Sequence, residues 1–235
     1  SGIGITVSHC LFQNSSSSAM RLDGNDITIE YCQCFDLVKE SDDQGGSDTW
    51  FDYSFRNIVF RFNHWRDIKG GMYAGAAGIR FDDIISGNFV YGNVFERCGG
   101  SHFGCINING GRDNRISNNV IFDCPAGVTG ALANGDDWRR MMDSNMDKLN
   151  AVDALGPVYE LHYPELKASF YSENGVNYMY DNLLVKVPTV TNMPQFMVMH
   201  NNTEVNEDVK GLKYYLQASV LEAAGMRPIP FDQIG

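Results

Sequence analysis

Two copies of one pattern stand side by side within residues 78–124. The two copies are residues 78–93 and 105–119. In each copy, a strand of alternating apolar residues leads to a polar corner. A second alternating strand follows, with Asn at one of its ends. Self-similarity at a spacing of roughly 20–50 residues is the signature of stacked repeats. We therefore predict an all-β fold in which these segments are adjacent coils of a parallel β-helix.

The pattern extends to most of the chain when the segments are aligned on one corner position. The aligned positions are Cys10, Cys32, Asn63, Asn93, Asn119 and Asn182. The column three positions earlier is apolar throughout: Val7, Ile29, Phe60, Val90, Ile116 and Met179. The column two positions later is apolar as well: Phe12, Cys34, Trp65, Phe95, Ile121 and Leu184. Inward-facing strand positions show this behaviour.

By subtraction, neighbouring corner positions are 22, 31, 30, 26 and 63 residues apart, so the last interval must contain an insertion. Within 137–155 apolar residues recur at helical spacing, with Asn145 as the polar exception, and Asn134-Gly-Asp-Asp precedes them as a start signal. We predict a helix at about 134–155. The coil pattern resumes at 177–187, and the tail after Gly211 is expected to form a short C-terminal cap.

These segments predict a single β-helix domain over residues 1–235. Coils occupy 1–132, the helical insertion 133–170, and the last coil and cap 171–235. Because the chain begins in a strand pattern, and terminal repeats need a cap, we expect it to be the C-terminal fragment of a longer protein.

The net charge and the spacing of the cysteines argue against some classes of function. The net charge of −11 argues against nucleic acid, whose phosphates are met by basic surfaces. No apolar run approaches the roughly 20 residues that span a bilayer. The six cysteines show no metal-site spacing, and we expect buried thiols. A Cys98–Cys124 bridge between neighbouring coils is the alternative.

A second column predicts a polar row on the outer surface of the helix. The alignment of Met20–Asp23, Trp50–Asp52, Arg80–Asp82 and Asn107–Asn109 directs Leu22, Phe51, Phe81 and Ile108 inward. It directs Asp23, Asp52, Asp82 and Asn109 outward, with Arg21, Trp50, Arg80 and Asn107 beside them. Stacked strands are about 4.8 Å apart, so neighbours in such a row can act on one small substrate.

The order of several motifs resembles a known group of proteins. The motifs are Asp43-Gln-Gly-Gly, Gly78-Ile-Arg-Phe-Asp-Asp, Gly92-Asn-Val-Phe, Asn109-Gly-Gly-Arg-Asp-Asn, Asn118-Asn-Val-Ile-Phe-Asp-Cys, Tyr163-Pro-Glu-Leu and Pro228-Ile-Pro-Phe-Asp-Gln-Ile-Gly. From about residue 10 to the end, the chain resembles the right-handed parallel β-helix, pectate-lyase-like carbohydrate-active proteins of gut and environmental bacteria. It is close to the fucosidase/xylanase-type β-helix glycoside hydrolases.

The resemblance implies glycan processing by a secreted, periplasmic or cell-surface protein, with acidic residues on the outer face of the helix. The family's DxGA-type aspartate matches Asp43, and its LDD aspartates match Asp82 and Asp83. Its HGGRDN motif matches Asn109–Asn114, with Asn109 where the motif has His. An amide can bond a sugar hydroxyl but cannot take up a proton, so this departure removes an acid/base role there.

Together these observations give a set of candidate site residues. The catalytic candidates are Asp43, Asp52, Asp82 and Asp83. The substrate-binding candidates are Trp50, Arg80, Asn107, Asn109, Arg112 and Asp113. Glycoside hydrolysis needs two carboxyl groups, roughly 5–5.5 Å apart for retention and roughly 6.5–9.5 Å for inversion. Asp52 and Asp82, one coil apart in this alignment, approximate the retaining distance.

Structural roles compete with these assignments. Asp and Asn at corners also hold turns through backbone amides, an alternative that applies most to Asp83 and Asp113. Trp50 is either a sugar-stacking platform or an apolar patch under a loop. Arg80 and Arg112 either bind substrate or pair with neighbouring aspartates.

Three functions remain open from the sequence. The first is a glycoside hydrolase without cofactor or metal, acting on a plant or host polysaccharide or oligosaccharide through paired carboxylates. The second is a non-catalytic glycan-binding or structural β-helix. The third is a polysaccharide lyase using Ca²⁺ held by Asp42-Asp43 and Asp82-Asp83. A monomer with no nucleic-acid and no membrane partner is expected in each case.

Overall fold

The computed structural model describes residues 2–100, 102–207 and 210–235. Its strands are β1 (Gly2–Ile3), β2 (Thr6–Ser8), β3 (Leu11–Gln13), β4 (Met20–Arg21), β5 (Gly24–Asn25), β6 (Thr28–Glu30), β7 (Gln33–Phe35), β8 (Gln44–Trp50), β9 (Val59–Arg61), β10 (His64–Ile68), β11 (Ala76–Asp82), β12 (Phe89–Tyr91), β13 (Val94–Cys98), β14 (Ile106–Gly110), β15 (Arg115–Ser117), β16 (Val120–Phe122), β17 (Val128–Leu132), β18 (Asn177–Tyr180), β19 (Leu183–Val185), β20 (Met197–His200) and β21 (Thr203–Val205). The α-helices are α1 (Gly135–Ala151), α2 (Pro157–His162), α3 (Pro164–Tyr171), α4 (Leu212–Tyr215) and α5 (Ala218–Ala223), with 3-10 turns at Pro194–Phe196 and Phe231–Gln233.

Three stacked parallel sheets form the body of the molecule. Sheet 1 contains β2, β6, β9, β12, β15, β18 and β20. Sheet 2 contains β3, β7, β10, β13, β16, β19 and β21. Sheet 3 contains β4, β8, β11, β14 and β17. The chain visits the sheets in turn, with one strand per sheet in the first five coils and, in the described structure, strands of sheets 1 and 2 alone in the last two; every one of these pairings is parallel. The predicted parallel β-helix is confirmed.

An asparagine ladder forms the corner between sheets 1 and 2. The side-chain oxygen of Asn93 accepts from the backbone N–H of Asn63 at 3.0 Å, and that of Asn119 accepts from the N–H of Asn93 at 2.9 Å. The same bond joins Asn119 to Asn182 at 2.9 Å. These buried amides replace the backbone bonds that a sharp corner would leave unmade. The predicted column is confirmed, and it continues one coil further, to Asn202.

A second asparagine ladder, between sheets 3 and 1, was not predicted. Asn88 accepts from the backbone N–H of Ile58 at 3.0 Å, Asn114 accepts from that of Asn88 at 3.1 Å, and Asn177 accepts from that of Asn114 at 3.0 Å. Each of these asparagines lies five positions before a member of the first ladder, by subtraction. That repeated interval is the sequence signal that could have revealed it.

The interior is filled by the two predicted apolar columns. Val90 lies opposite Phe60 and Ile116 in sheet 1, and Phe95 lies opposite Trp65 and Ile121 in sheet 2, all of them buried.

The cysteines are free. Five are buried and Cys10 is half-buried. Burial raises the pKa of the Cys98 and Cys105 thiols, so they remain protonated core groups. The alternative of a Cys98–Cys124 bridge is therefore not realised.

The predicted insertion helix is α1, which buries Trp138, Met142, Asn145 and Leu149. The insertion also contains two helices beyond the predicted helix at about 134–155. Pro157 and Pro164 occupy the first turns of these helices, α2 and α3. Proline suits that position because the N–H it lacks would have no partner there.

The C-terminal segment packs against the outer face of sheet 2. Tyr215 and Leu221, from α4 and α5, and Met226 and Ile229 beyond them are buried in one cluster with strand residues such as Phe122. In the described part of the chain, no helix combines the length and apolar character that crossing a bilayer demands. With sheet 2 covered here and α1 lying beside the last strands of sheet 3, the outer face of β8 and β11 remains open.

Candidate functional site

Two rows of side chains project from the outer face of sheet 3. Because neighbours along a strand point to opposite faces, every second residue belongs to this surface. The first row is Arg21, Asp48, Arg80, Asn107 and Thr129. The second row is Trp50, Asp82, Asn109 and Ala131. Carboxylates, guanidinium groups, amides and an indole therefore share one surface.

The observed strand register differs from the predicted register in a single coil. Asp48 lies opposite Arg80, Thr49 opposite Phe81 and Trp50 opposite Asp82, so the segment was aligned two residues out of place. A shift of two keeps every side chain on the same face, which is why the alternation could not reveal the error.

Asp52 consequently lies outside the row, and Phe51 is not a strand residue facing inward. The chain leaves the strand at Phe51, where φ is 55°. Helix α1 fixes this exit, because Asn145 accepts from the backbone N–H of Tyr53 at 2.9 Å. The carboxylate of Asp52 instead accepts from the backbone N–H and the hydroxyl of Ser54, at 3.0 and 2.6 Å. Asp52 is a turn-holding residue.

The guanidinium group of Arg80 is the centre of the site. Its Nη2 lies 2.7 Å from Asp82 Oδ2 and 3.0 Å from Asp43 Oδ1, and its Nη1 lies 3.7 Å from Asp48 Oδ2. Nη1 also donates to the backbone carbonyl of Asp43 at 2.6 Å. Asn109 Nδ2 donates to Asp82 Oδ1 at 3.0 Å. One oxygen of Asp82 therefore accepts a hydrogen bond from Asn109 and the other forms an ion pair with Arg80, and three carboxylates converge on one cation.

Asp48 and Asp83 differ from Asp82 in that their surroundings raise their pKa values. Burial raises the pKa of Asp48 to about 6 against the opposing effect of Arg80, and the charge of Asp82 adds to the increase. Asp48 Oδ1 is buried and has no hydrogen-bond partner among the described residues. Burial, followed by the charge of Asp82, also raises the pKa of Asp83. Near pH 5 to 6 the site can thus hold a protonated carboxyl group beside a bonded carboxylate.

A cavity of about 610 Å³ opens over these groups and is lined by Asp48, Asp82, Asp83, Trp50 and Arg21. The Trp50 side chain is 42% exposed, and the Arg21 guanidinium lies 4.5 Å from its ring centroid. A second cavity of ≈ 340 Å³ lies between Asn109 and helix α1. Since Asn109 is bonded to Asp82, the two cavities adjoin along sheet 3. We call this surface the sheet-3 cleft.

Three predicted substrate-binding residues line neither cavity. Arg112 is fully buried beneath the insertion, where burial lowers its pKa to about 10. It donates to the carbonyls of Ala133 and Ser172, both at 2.8 Å, and its guanidinium lies 3.4 Å from the Trp138 ring. Arg112 holds the insertion in place instead of facing substrate.

Asp113 and Asn107 are also engaged within the fold. Asp113 accepts from the Ser169 hydroxyl at 2.5 Å and so ties its corner to α3. Asn107 is only 3% exposed, because the loop before β14 folds over this half of the row. The N–H of Gly104 in that loop donates to the Thr129 hydroxyl at 2.7 Å.

Of the remaining predicted residues, the structure brings Asp43, Asp82, Asp83, Trp50 and Arg80 together in one cavity, with Asn109 bonded at its edge. The sequence reasoning missed Asp48, which takes the place in the first row that Trp50 was expected to fill. Asp48 lies two residues before Trp50, so aligning Ser47-Asp48-Thr49 with Ile79-Arg80-Phe81 would have found it.

The predicted calcium ligands do not all face one point. Asp42 turns away from the cleft and accepts from the backbone N–H groups of Asp43, Tyr73 and Ala74 at 2.8–3.0 Å. Desolvation acts to raise the pKa of Asp42, but these hydrogen bonds outweigh it and lower the pKa. Across the described ranges, no group of three His, Cys, Asp or Glu side chains is arranged to hold a metal ion. Asp43, Asp48 and Asp82 are paired with Arg80 instead.

The fold and this site define the class, a parallel β-helix with a polar cleft on one sheet. The family model described as "Right handed beta helix region" matches residues 1–135, more than half of the chain. The chain belongs to this right-handed β-helix family. A comparison with curated proteins gave no match, nor did one with solved structures.

Proposed function

We propose that the protein is a glycoside hydrolase whose reaction takes place in the sheet-3 cleft. One observation carries the proposal. A carboxyl group with a pKa of about 6, Asp48, lies in an open cavity beside Asp82, which is hydrogen-bonded to Asn109 and ion-paired with Arg80. Hydrolysis of a glycosidic bond requires one carboxyl group that can give a proton and one that is ionised.

In this mechanism Asp48 is the general acid and Asp82 the ionised partner. Asp48 donates its proton to the glycosidic oxygen as the bond from that oxygen to the anomeric carbon breaks. Asp82 either deprotonates a water molecule that attacks this carbon or attacks it directly, after which water releases the sugar and restores both carboxyl groups.

The other residues of the cleft support these two groups. Arg80 and Asn109 hold the two oxygens of Asp82 in a fixed orientation. The exposed face of Trp50 offers an apolar surface to a pyranose ring. Asn109 thereby has a positioning role. An amide can fill this role at the position where the HGGRDN motif has His.

The proposed substrate is a polysaccharide or oligosaccharide of plant or host origin, because the cavity lies on an open solenoid face that a chain can cross. A protein with such a substrate acts outside the cytoplasm, so we propose secretion to the periplasm, the cell surface or the medium. We further propose a monomer, since the cleft is built from residues of one chain.

A non-catalytic glycan-binding β-helix is the second candidate, and the pairing of Arg80 favours it. A guanidinium group that contacts Asp43, Asp48 and Asp82 neutralises much of the cluster. Such a network can hydrogen-bond sugar hydroxyls without transferring a proton. The lyase alternative is weaker, because Asp42 is bonded to backbone amides instead of facing the cleft.

A polysaccharide panel assayed with and without EDTA tests the proposal. A hydrolase releases reducing ends, keeps its activity in EDTA and forms no unsaturated uronate. Its rate should fall as the pH rises through about 6, because Asp48 then loses the proton it must donate. Saturable binding without any reducing ends would favour the binding candidate. Calcium-dependent ultraviolet absorbance of unsaturated products would identify a lyase.

A further inference from the structure

The outer face of sheet 1 carries a column of side chains in which aromatic rings are interrupted by one residue without a ring. In register along this face lie Arg61, Tyr91, Ser117, Tyr180 and His200, one per coil. Tyr180 and His200, one coil apart, stack with ring centroids 4.9 Å apart and planes 14° apart. Rings in this column therefore stack at the spacing of the coils. At Ser117 the column carries no ring.

The missing ring leaves a slot between Tyr91 and Tyr180. These tyrosines are two coils apart, which at about 4.8 Å per strand separates their backbones by roughly 9.6 Å. A ring between them would lie about 4.8 Å from each, the spacing at which neighbouring rungs stack. A cavity of ≈ 360 Å³ occupies this place, and Phe62, Tyr91, Ser117 and Tyr180 line it.

The C-terminal tail closes the outer side of the slot. Asn118 Nδ2 donates to the Arg227 carbonyl at 3.1 Å, and the Arg227 N–H donates to Asn118 Oδ1 at 2.7 Å. Gly225 and Pro228, on either side of this pair of bonds, line the cavity. The slot is thus preformed between the sheet and a tail that is fixed to it, as small-molecule sites commonly are.

Three polar side chains at the edge of the slot have no partner among the described residues. The Ser117 hydroxyl, the Asp181 carboxylate and the Arg227 guanidinium make no side-chain hydrogen bond or ion pair there. The Tyr91 hydroxyl accepts from Arg61 at 3.1 Å, so its proton remains available to an incoming acceptor. Aromatic rings above and below, with donors and acceptors around the edge, match a sugar ring, which has apolar faces and hydroxyl groups at its rim.

We propose that this slot binds one pyranose unit, stacked between Tyr91 and Tyr180, with its hydroxyl groups bonded to Ser117, Asp181 and Arg227. The site lies on a different sheet from the cleft and does not depend on the proposed hydrolysis. It would hold a glycan, by its end or by a side branch, while the cleft engages another part of the chain or stays empty.

Ligand-observed NMR titration with methyl pyranosides of glucose, galactose, mannose and xylose tests the proposal on the full chain. The variant Ser117→Phe fills the slot with the missing ring, and Tyr180→Val removes one stacking face. Val198→Phe is the matched control, because it adds a ring to an exposed position of the same sheet outside the slot. Asp82→Asn alters the cleft alone.

At least one pyranoside should bind the parent, Val198→Phe and Asp82→Asn alike, and should bind Ser117→Phe and Tyr180→Val at least about tenfold more weakly, a loss of 1.4 kcal/mol. If Ser117→Phe fails to fold, Tyr180→Val decides. Absence of saturable binding to the parent overturns the proposal. So does binding that Asp82→Asn abolishes and Ser117→Phe retains, since the sugar would then occupy only the cleft.

Discussion

In the proposed mechanism, the chemically identical side chains of Asp48 and Asp82 have different tasks because their surroundings differ. Asp82 is hydrogen-bonded to Asn109 and ion-paired with Arg80, whereas Asp48 keeps one buried oxygen without a partner in the described structure. A carboxyl group in the second situation favours its protonated form. The assignment of acid and base follows from these local contacts and not from the order of the motifs.

Replacing Asp48 by Asn should make stability less dependent on pH. Because burial raises the pKa of Asp48 from 3.8 to about 6, its contribution to stability is complete below about pH 3.8 and is lost as the pH rises through about 6. Asp48→Asn cannot ionise, so relative to the parent it should gain up to ~3 kcal/mol at about pH 8 and little at about pH 4. Urea unfolding at the two pH values measures this difference.

Asp52→Asn is the control for that experiment, since Asp52 holds a turn outside the row and Asn retains an acceptor for Ser54. A stability gain for Asp48→Asn that is equal at both pH values would show that ionisation of Asp48 does not oppose folding.

At the scale of elements, the two asparagine ladders join successive coils at their corners. The Asn93 side chain accepts from the backbone N–H of Asn63 and donates to the carbonyl of Phe60 and to Asn119 Oδ1, at 2.9–3.1 Å. All of these groups lie in the interior. Removing one amide therefore leaves several buried polar groups without partners.

Asn93→Ala should lower the free energy of unfolding by at least ~3 kcal/mol, because each buried group left unpaired costs about 1–3 kcal/mol. Chemical denaturation measures the change. Asn150→Ala, at an exposed position in α1, is the control and should lie within about 0.5 kcal/mol of the parent. Equal stability of Asn93→Ala and the parent would mean that the ladder bonds are not needed to join the coils.

The insertion depends on Arg112, which projects from the corner between β14 and β15 towards the helices. Arg112→Met removes the bonds to the carbonyls of Ala133 and Ser172 and the contact with the Trp138 ring. Hydrogen exchange should consequently speed up in 135–171 while the coil strands keep their protection. Arg139→Met, with its half-exposed side chain on α1, is the control and should leave exchange unchanged. Uniform loss of protection over the whole chain would show that the insertion and coils open together.

The elements that the sequence predicted well are those with redundant signals. Three aligned columns determined the coils around Asn63, Asn93 and Asn119, and each column supported the others. Helix α1 had both periodicity and a start signal. The coil at Trp50 had only the alternation of β8 to align it, and alternation cannot distinguish a shift of two residues. Helices α2 and α3 are too short for a periodic pattern to be recognised.

At the scale of the whole molecule, the two proposed sites lie on different sheets of the solenoid. The C-terminal segment packs on sheet 2, whereas the cleft lies on sheet 3 and the ring slot on sheet 1. The sequence predicted which face carries the polar row but not which carboxylates meet in it. Which carboxylates meet depends on Arg80, because its long side chain contacts three aspartates from different positions.

The most direct test of the catalytic account is the turnover of Asp82→Asn on the best glycan from the panel. Asn keeps the size of the side chain and an acceptor for Arg80 but cannot act as a base or nucleophile. The account predicts reducing-end release at least roughly a hundredfold slower than the parent's, with an unchanged thermal midpoint, while Asp52→Asn stays close to the parental rate. Parental turnover by Asp82→Asn would contradict the account.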